Sequence, residues 1–381
     1  MPRRIVLCLL RLALLACPGV PGLWAQDFGN LQIHGFATQG FLYSSNNNYL
    51  TMKSSAGSLQ WTEGAVSLTD SVTDNLRVGM QFHMFQMGQV GGPTLEVDWA
   101  SGDYQVDDHL GFRAGKVKIP VGLFNESQVV DSLFLWILLP QSLYPTDNRD
   151  FDLGVLGGEV YGSLDLGKRA GRVQYTGYVG EDSLDANGGY VELLQGYGLT
   201  FPSPPSGRAF GGDVRWTGRG LTLGTSALCQ NLDGTGPQGS IHLPAALNLS
   251  YYAEWKKGRW DLVGEYLRTP DRPVLMIGSA VFPLAFDQRG WYPMVTYRIS
   301  QKLRVGSYYS HSVDKAADTS LPANYSKDWT ISGRYDFNAY FYGKVEGHFL
   351  HGDGLGYYAS ANPNGLKPDS KMLAARIGFA F

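Results

Sequence analysis

Apolar and polar positions alternate along most of the chain, and the closing stretch from Lys371 to Phe381 shows the pattern most cleanly. Leu373, Ala375, Ile377, Phe379 and Phe381 share one parity; Met372, Ala374, Arg376, Gly378 and Ala380 share the other. A strand points successive side chains to opposite faces. One face here is wholly apolar, and the other is small with one arginine. Such a strand, ending on an aromatic, is expected as the closing strand of an antiparallel membrane β-barrel.

The same beat predicts about sixteen strands. The first covers Leu31 to Tyr43 and the second about Leu59 to Leu68. In the third, Leu76, Val78, Met80, Phe82 and Met84 oppose Arg77, Gly79, Gln81 and His83. In the fourth, Leu95, Val97 and Trp99 oppose Glu96 and Asp98; the fifth runs from His109 to Lys118. Later strands meet in pairs at short turns such as Thr217-Gly218-Arg219-Gly220 and Ser300-Gln301-Lys302. Longer Gly/Asn/Pro/Ser-rich connections fall near residues 44–58, 88–93, 119–157, 181–209, 231–245, 268–290, 312–327 and 351–370. Short turns on one side, long loops on the other and an even strand count are the pattern of a bacterial outer-membrane barrel. Aromatics near predicted strand ends, among them Phe41, Tyr43, Trp99, Trp216, Trp255, Trp291, Trp329 and Phe381, fit interfacial girdles. A soluble all-β protein predicts no such bands.

Composition supports this class. Charged residues are 17%, aromatics 13%, and there are 49 glycines. Mean hydropathy is −0.16. Past the N-terminus nothing approaches the ~20 apolar residues of a membrane helix. Arg3, Arg4 and Arg11 precede the apolar run Leu12 to Cys17, and Leu23-Trp24-Ala25 is a small-residue cleavage site. Residues 1–25 therefore read as an export signal and residues 26–381 as the barrel. Leu14-Leu15-Ala16-Cys17 also admits a lipoprotein reading, which would change the anchoring. Without its leader the chain keeps Cys229 alone, expected on a lipid-facing position, and its mild acidity argues against a nucleic-acid partner.

If the apolar rows face lipid, the polar rows face water. That places Arg77, His83, Glu96, Asp98, Arg113, Arg215, Arg298, Arg304, Arg334 and Arg376 on the lumen wall. On the lipid face each Arg or Lys would cost about 2–4 kcal/mol at the midplane. A barrel of about sixteen strands leaves room for an aqueous channel. The third connection, Lys118 to Gly157, carries the apolar run Val129 to Leu139, too sticky to stand in water outside the cell. Folding this loop into the lumen buries it. A constriction is then expected from Lys116, Lys118, Glu126, Asp131, Asp147, Arg149, Asp150 and Asp152, with loop acids facing wall arginines.

The runs E-V-D-W-A-S-G-D-Y (Glu96–Tyr104), F-R-A-G-K-V-K-I-P-V-G-L-F-N-E (Phe112–Glu126) and L-L-P-Q-S-L-Y-P (Leu138–Pro145) resemble a group of uncharacterised bacterial porins. The G-K-x-K-x-P-x-G portion more distantly resembles the phosphate-selective porins O and P. The resemblance covers mainly residues 95–145. It implies homotrimers with the third loop folded inward, and it brings Lys116 and Lys118 toward a basic constriction. The loop itself is net acidic, which departs from an anion-selective pattern.

The expected function is passive diffusion of ions and small hydrophilic solutes through a barrel seated among outer-membrane lipids and lipopolysaccharide, without cofactor or metal and without enzymatic activity. Two other readings exist. The seven histidines sit in no H-E-x-x-H or G-x-S-x-G motif that would mark an outer-membrane enzyme. A barrel sheathing a multihaem cytochrome would take its haem from another subunit, because this chain has no C-x-x-C-H.

Overall fold

The computed structural model describes residues 30–149 and 153–381. The expected export leader, residues 1–25 with Cys17, and the loop acids Asp150 and Asp152 lie outside the described residues.

The chain forms a closed antiparallel barrel of sixteen strands. In order they are β1 (Gln32–Ser44), β2 (Ser58–Ser71), β3 (Leu76–Met87), β4 (Glu96–Gln105), β5 (Gly111–Lys118), β6 (Gly154–Asp165), β7 (Arg172–Ser183) and β8 (Ser206–Gly218). The second half continues with β9 (Leu221–Gly236), β10 (Gly239–Lys257), β11 (Trp260–Thr269), β12 (Gln288–Arg298), β13 (Leu303–Asp314), β14 (Tyr325–Asp336), β15 (Phe341–His351) and β16 (Asp369–Ala380). Each pairs with its sequence neighbours, and β16 closes on β1 from Phe36↔Ala380 to Ser44↔Met372. Closure removes the free edges that an open sheet would expose.

Why these segments form strands is visible on the two faces. Val78, Met80, Val160, Val214, Leu223, Ile331, Val345, Leu373 and Ile377 lie exposed on the outside. The residues before and after each of them along the strand point inward and are mostly polar or small. Cys229 stands on the outer row, between the buried Leu228 and Gln230. In β16 the inward row is Ser370, Met372, Ala374 and Arg376, as the alternation predicts. At the tight β8–β9 turn, Arg219 (φ 55°) and Gly220 (φ 80°) take the left-handed conformations that suit a two-residue hairpin.

Three expectations change. Residues 231–245 are strand rather than loop: β9 and β10 stay paired from Leu232↔Leu243 out to Gly236↔Gly239. Asn231, Gly234, Gly236 and Pro237 read as breakers, but continued pairing satisfies the backbone instead. The next connection adds a hairpin, Val274–Ile277 and Ala280–Pro283, onto that extension through Gly239↔Ile277 and His242↔Val274. Trp99 does not join an outer girdle. The β3–β4 register shifts between Gln81 and Phe82, and this bulge turns Trp99 inward over Gly79, where a Cβ would meet its ring at 2.9 Å.

The third loop lies inside the barrel. Ile137 and Leu138 bury against Leu42, Leu50, Trp61, Met87 and Met372 on one side of the wall. Leu135, Trp136, Leu139 and Tyr144 bury against Val263, Tyr292, Met294 and Tyr308 on the other. The apolar run thus leaves water by covering the inner wall from β11 round to β3.

Candidate functional site: the loop-lined lumen

The loop departs from β5 through the G-K-x-K-x-P-x-G stretch, and both glycines are required there. Gly115 has φ 130° and a Cβ on it would lie 2.2 Å from the Ala100 carbonyl oxygen. Gly122 has φ 68° and a Cβ would lie 2.0 Å from Glu265 Oε1. Pro120 sits between them where the chain turns off the wall. Gly122→Ala is expected to cost roughly 1–3 kcal/mol of strain and to lower the thermal midpoint, read by heat-dependent mobility on gels.

Three buried carboxylates grip the loop around its apolar run. Glu265 on β11 accepts from Leu123 N (2.9 Å), Tyr144 Oη (2.8 Å), Tyr292 Oη (2.7 Å) and Ser250 Oγ (3.2 Å). Glu346 on β15 accepts the Ile137 and Leu138 amides at 3.0 and 2.9 Å. It is backed by His348, which bridges Glu346 and Asp328 at 3.0 and 2.8 Å. Asp131, the loop's own acid, meets Lys344 Nζ at 3.0 Å, Arg376 Nη1 at 2.7 Å and the Tyr342 hydroxyl at 2.7 Å. Burial alone would raise the Asp131 carboxyl, but Lys344 and Arg376 hold it below its ordinary range.

Lys344 and Arg376 belong to a longer row. Arg298↔Arg304, Arg304↔Arg334, Arg334↔Lys344 and Lys344↔Arg376 are direct cross-strand partners, so five consecutive strands, β12 to β16, carry a base at one level. Like charges directly opposite destabilise a sheet. The loop relieves the repulsion: Arg334 donates to the Ser132 and Phe134 carbonyls at 2.5 and 2.8 Å, and Lys344 donates to those of Asp131 and Trp136. Asp336 takes Arg334 at 2.8 Å and lies 3.8 Å from Arg304.

All ten wall residues singled out in the sequence stand on inward rows. Arg376 is buried over the Trp61 ring at 4.2 Å and reaches Glu63 at 3.4 Å. His83 touches Glu63 at 3.0 Å, and Glu96 pairs opposite His83. Arg77 stands near the short-turn end of β3, opposite Asp103. Arg113 and Arg215 remain open to the lumen, each with 26% of its side chain exposed. Arg113 is held by Glu159 at 3.0 Å and Asp103 at 3.3 Å. Arg215 donates from Nε to Tyr252 Oη at 2.9 Å, and Asp213 anchors that tyrosine at 2.9 Å.

The expected constriction residues scatter. Glu126 is exposed on the loop, within electrostatic reach of Arg215, Arg113 and Lys118. Lys118 Nζ is held by Asp98 Oδ1 at 2.5 Å. Lys116, by contrast, lies on the outward row beside Leu156, with Nζ on the Val97 carbonyl at 2.7 Å. Arg149 is buried against Glu63 at 2.6 Å and stacks over Phe85 at 4.1 Å. Asp131 serves as a latch, and Asp147 is buried, accepting from Tyr358 Oη at 2.7 Å. Burial pushes the Asp147 carboxyl up. Its folded state therefore holds a proton more tightly than the unfolded chain does, and stability falls as pH rises past the ordinary carboxylate value of about 3.9. Asp147→Asn keeps the Tyr358 bond. It is expected to be neutral at pH 4 and stabilising by up to about 1 kcal/mol at pH 8, seen as a growing gap in thermal midpoint.

Glu265, Glu346 and Asp328 share the inward parity of their strands, but the sequence does not show that they grip the loop. Inward parity was the available signal; their partners lie across the barrel.

The architecture is that of solved outer-membrane porins. Salmonella typhi OmpF in complex with daunomycin aligns with a TM-score of 0.61 at 15% identity, over 93% of this chain and 99% of that one. An anion-selective porin from Comamonas acidovorans gives 0.60 at 12%, over 92% and 99%. The channel DcaP of Acinetobacter baumannii gives 0.57 at 11%, over 94% and 99%. At such identities the likeness is one of fold. No protein-family model matches the chain. An uncharacterized protein of Aquifex aeolicus is 28% identical over 294 residues, which is 68% of this chain and 61% of that protein. The chain thus spans about three fifths of the length of that curated relative.

Proposed function

We propose that the protein is an outer-membrane porin, a non-enzymatic channel for passive diffusion of ions and small hydrophilic solutes. The observation that carries this reading is the third loop: it covers one side of the inner wall and leaves Arg113 and Arg215, open to the lumen, facing Glu126 across the remaining space. Opposed fixed charges at a narrow point sort solutes by charge. The wide apolar belt supports a seat among outer-membrane lipids and lipopolysaccharide, reached after removal of a leader at residues 1–25. The resemblance of residues 95–145 to phosphate-selective and related porins supports assembly as a homotrimer. A cytochrome threaded through the bore would collide with Leu135 to Leu139, so the conduit reading gains nothing from this geometry.

Planar-bilayer recording of the purified protein tests the channel. Discrete ohmic steps are expected, and their absence would remove the porin reading.

A further inference from the structure

Strands β4 and β5 part before their ends. β4 stays paired with β3 up to His83↔Glu96. Its pairing with β5 stops at Ala100↔Lys116, beside the crowded, positive-φ Gly115. Beyond that point two lysine side chains replace the ladder. Lys116 Nζ donates to the Val97 carbonyl at 2.7 Å on the outward side, and Lys118 Nζ reaches Asp98 at 2.5 Å on the inward side. Further out the parting closes again, where Gly91 N donates to the Asn187 carbonyl at 2.7 Å. The opening is therefore a framed window rather than a frayed edge. A cavity of about 440 Å³ fills it, lined by His83 and Arg149 from the lumen side and by Val97, Lys116 and Leu156 from the outer rows.

The lining is charged and apolar together. Asp98 is matched by Lys118 and Arg149 by Glu63. Among the described lining residues Lys116 is the cation outside those pairs, and Glu96, Glu181, Asp182 and Asp185 line the same cavity. On the lipid side Leu156 is 65% and Val97 40% exposed, and Leu156 stands in register between Lys116 and Glu181 on the outward row. A hydrocarbon chain gains by lying on those two apolar side chains, while a charged head must stay in a polar setting.

We propose that this window is a lateral binding site for an amphiphile with a cationic amine head, its amine among the carboxylates and its chain over Val97 and Leu156 toward the bilayer. This rests on the membrane seat of the barrel but not on ion conduction, so bilayer recordings and the test below can fail separately. The full chain is reconstituted in phosphatidylcholine vesicles with nitroxide-labelled dodecylamine or, as a matched control, nitroxide-labelled dodecanoate. Electron paramagnetic resonance then reads the immobilised fraction. The amine is expected to bind roughly fivefold more tightly than the carboxylate, the ratio that an exposed ion pair of about 1 kcal/mol gives. Glu181→Gln should narrow that preference. Leu156→Trp and Val97→Trp, both on exposed positions where folding is spared, should abolish it while conductance stays at the wild-type value. Equal immobilisation of the two amphiphiles, or a preference surviving both tryptophans, would overturn the site. A parallel loss of conductance would put the occupant in the lumen and overturn it equally.

Discussion

Asp131→Ala is expected to release the third loop and to lower the thermal stability of the barrel sharply. Asp131 is 5% exposed and faces Lys344 and Arg376, whose side chains are 0% and 3% exposed. Removing one partner of a buried ion pair leaves the other charge without compensation and typically costs about 3–5 kcal/mol. Arg376 keeps Glu63 at 3.4 Å, but the hydrogen bonds that Lys344 keeps among the described residues go to the Asp131 and Trp136 carbonyls, both on the segment being loosened. The loop should swing from the β14–β16 wall, so single-channel current should become larger and noisier as the unfolding midpoint drops. Tyr342→Phe removes one bond to the same carboxylate and should cost only about 1 kcal/mol. Acid should mimic the alanine. Because the Asp131 carboxyl sits below its ordinary range when folded, its stabilisation is complete above the unfolded value of about 3.9 and is lost as pH falls through the lower folded value. The latch should therefore hold at neutral and mildly acidic pH and loosen below about pH 4.

Reversing the wall charges should have the next largest effect. In Arg113→Glu/Arg215→Glu, two cations facing Glu126 become anions, and the reversal potential in a potassium chloride gradient should move toward cation preference. A unit charge about 10 Å from the permeating ion, at an effective dielectric constant of about 20, contributes roughly 1.7 kcal/mol. That is more than tenfold in relative permeability for each charge removed. Salt screens the effect, so it should be large near 0.1 M, where the Debye length is about 10 Å, and fade toward 1 M. Glutamate at 113 also meets Glu159 and Asp103, so Arg113→Gln/Arg215→Gln is the gentler companion, expected to shift in the same direction by about half. Asp147→Asn should leave the reversal potential where it was, because that acid is buried under Tyr358.

Much of the wall was legible in the sequence because a membrane barrel forces one face to be apolar. Arg376, an oddity inside an apolar run, had only the lumen available to it. The third loop was legible for a related reason: Val129 to Leu139 had to be covered by something. What covers it was not legible. Asp131, Glu126 and Asp147 are three similar acids in one loop, and the fold makes one a latch, one open to the lumen and one a buried acceptor under the Tyr358 hydroxyl. That division depends on Lys344 and Tyr358, more than two hundred residues away. The basic row across β12 to β16 was equally hidden, since each member looked isolated until register set them side by side. Lys116 was misplaced for a local reason. Parity along β5 puts it with Phe112 and Ala114, but its place in a lysine-rich motif drew it toward the pore.

The central claim is that the third loop lies against the inner wall of the barrel in the membrane. Ser142 on the loop and Ser310 on β13 bring their Oγ atoms to 2.8 Å, so cysteine sulfurs at these positions start within about 1 Å of the ~2.05 Å disulfide bond length. The measurement is the yield of that bond in Ser142→Cys/Ser310→Cys, made in a Cys229→Ser background and oxidised in native outer membranes. Near-complete disulfide formation, with single-channel conductance unchanged, is the predicted result; free thiols after oxidation in a correctly folded barrel would contradict it.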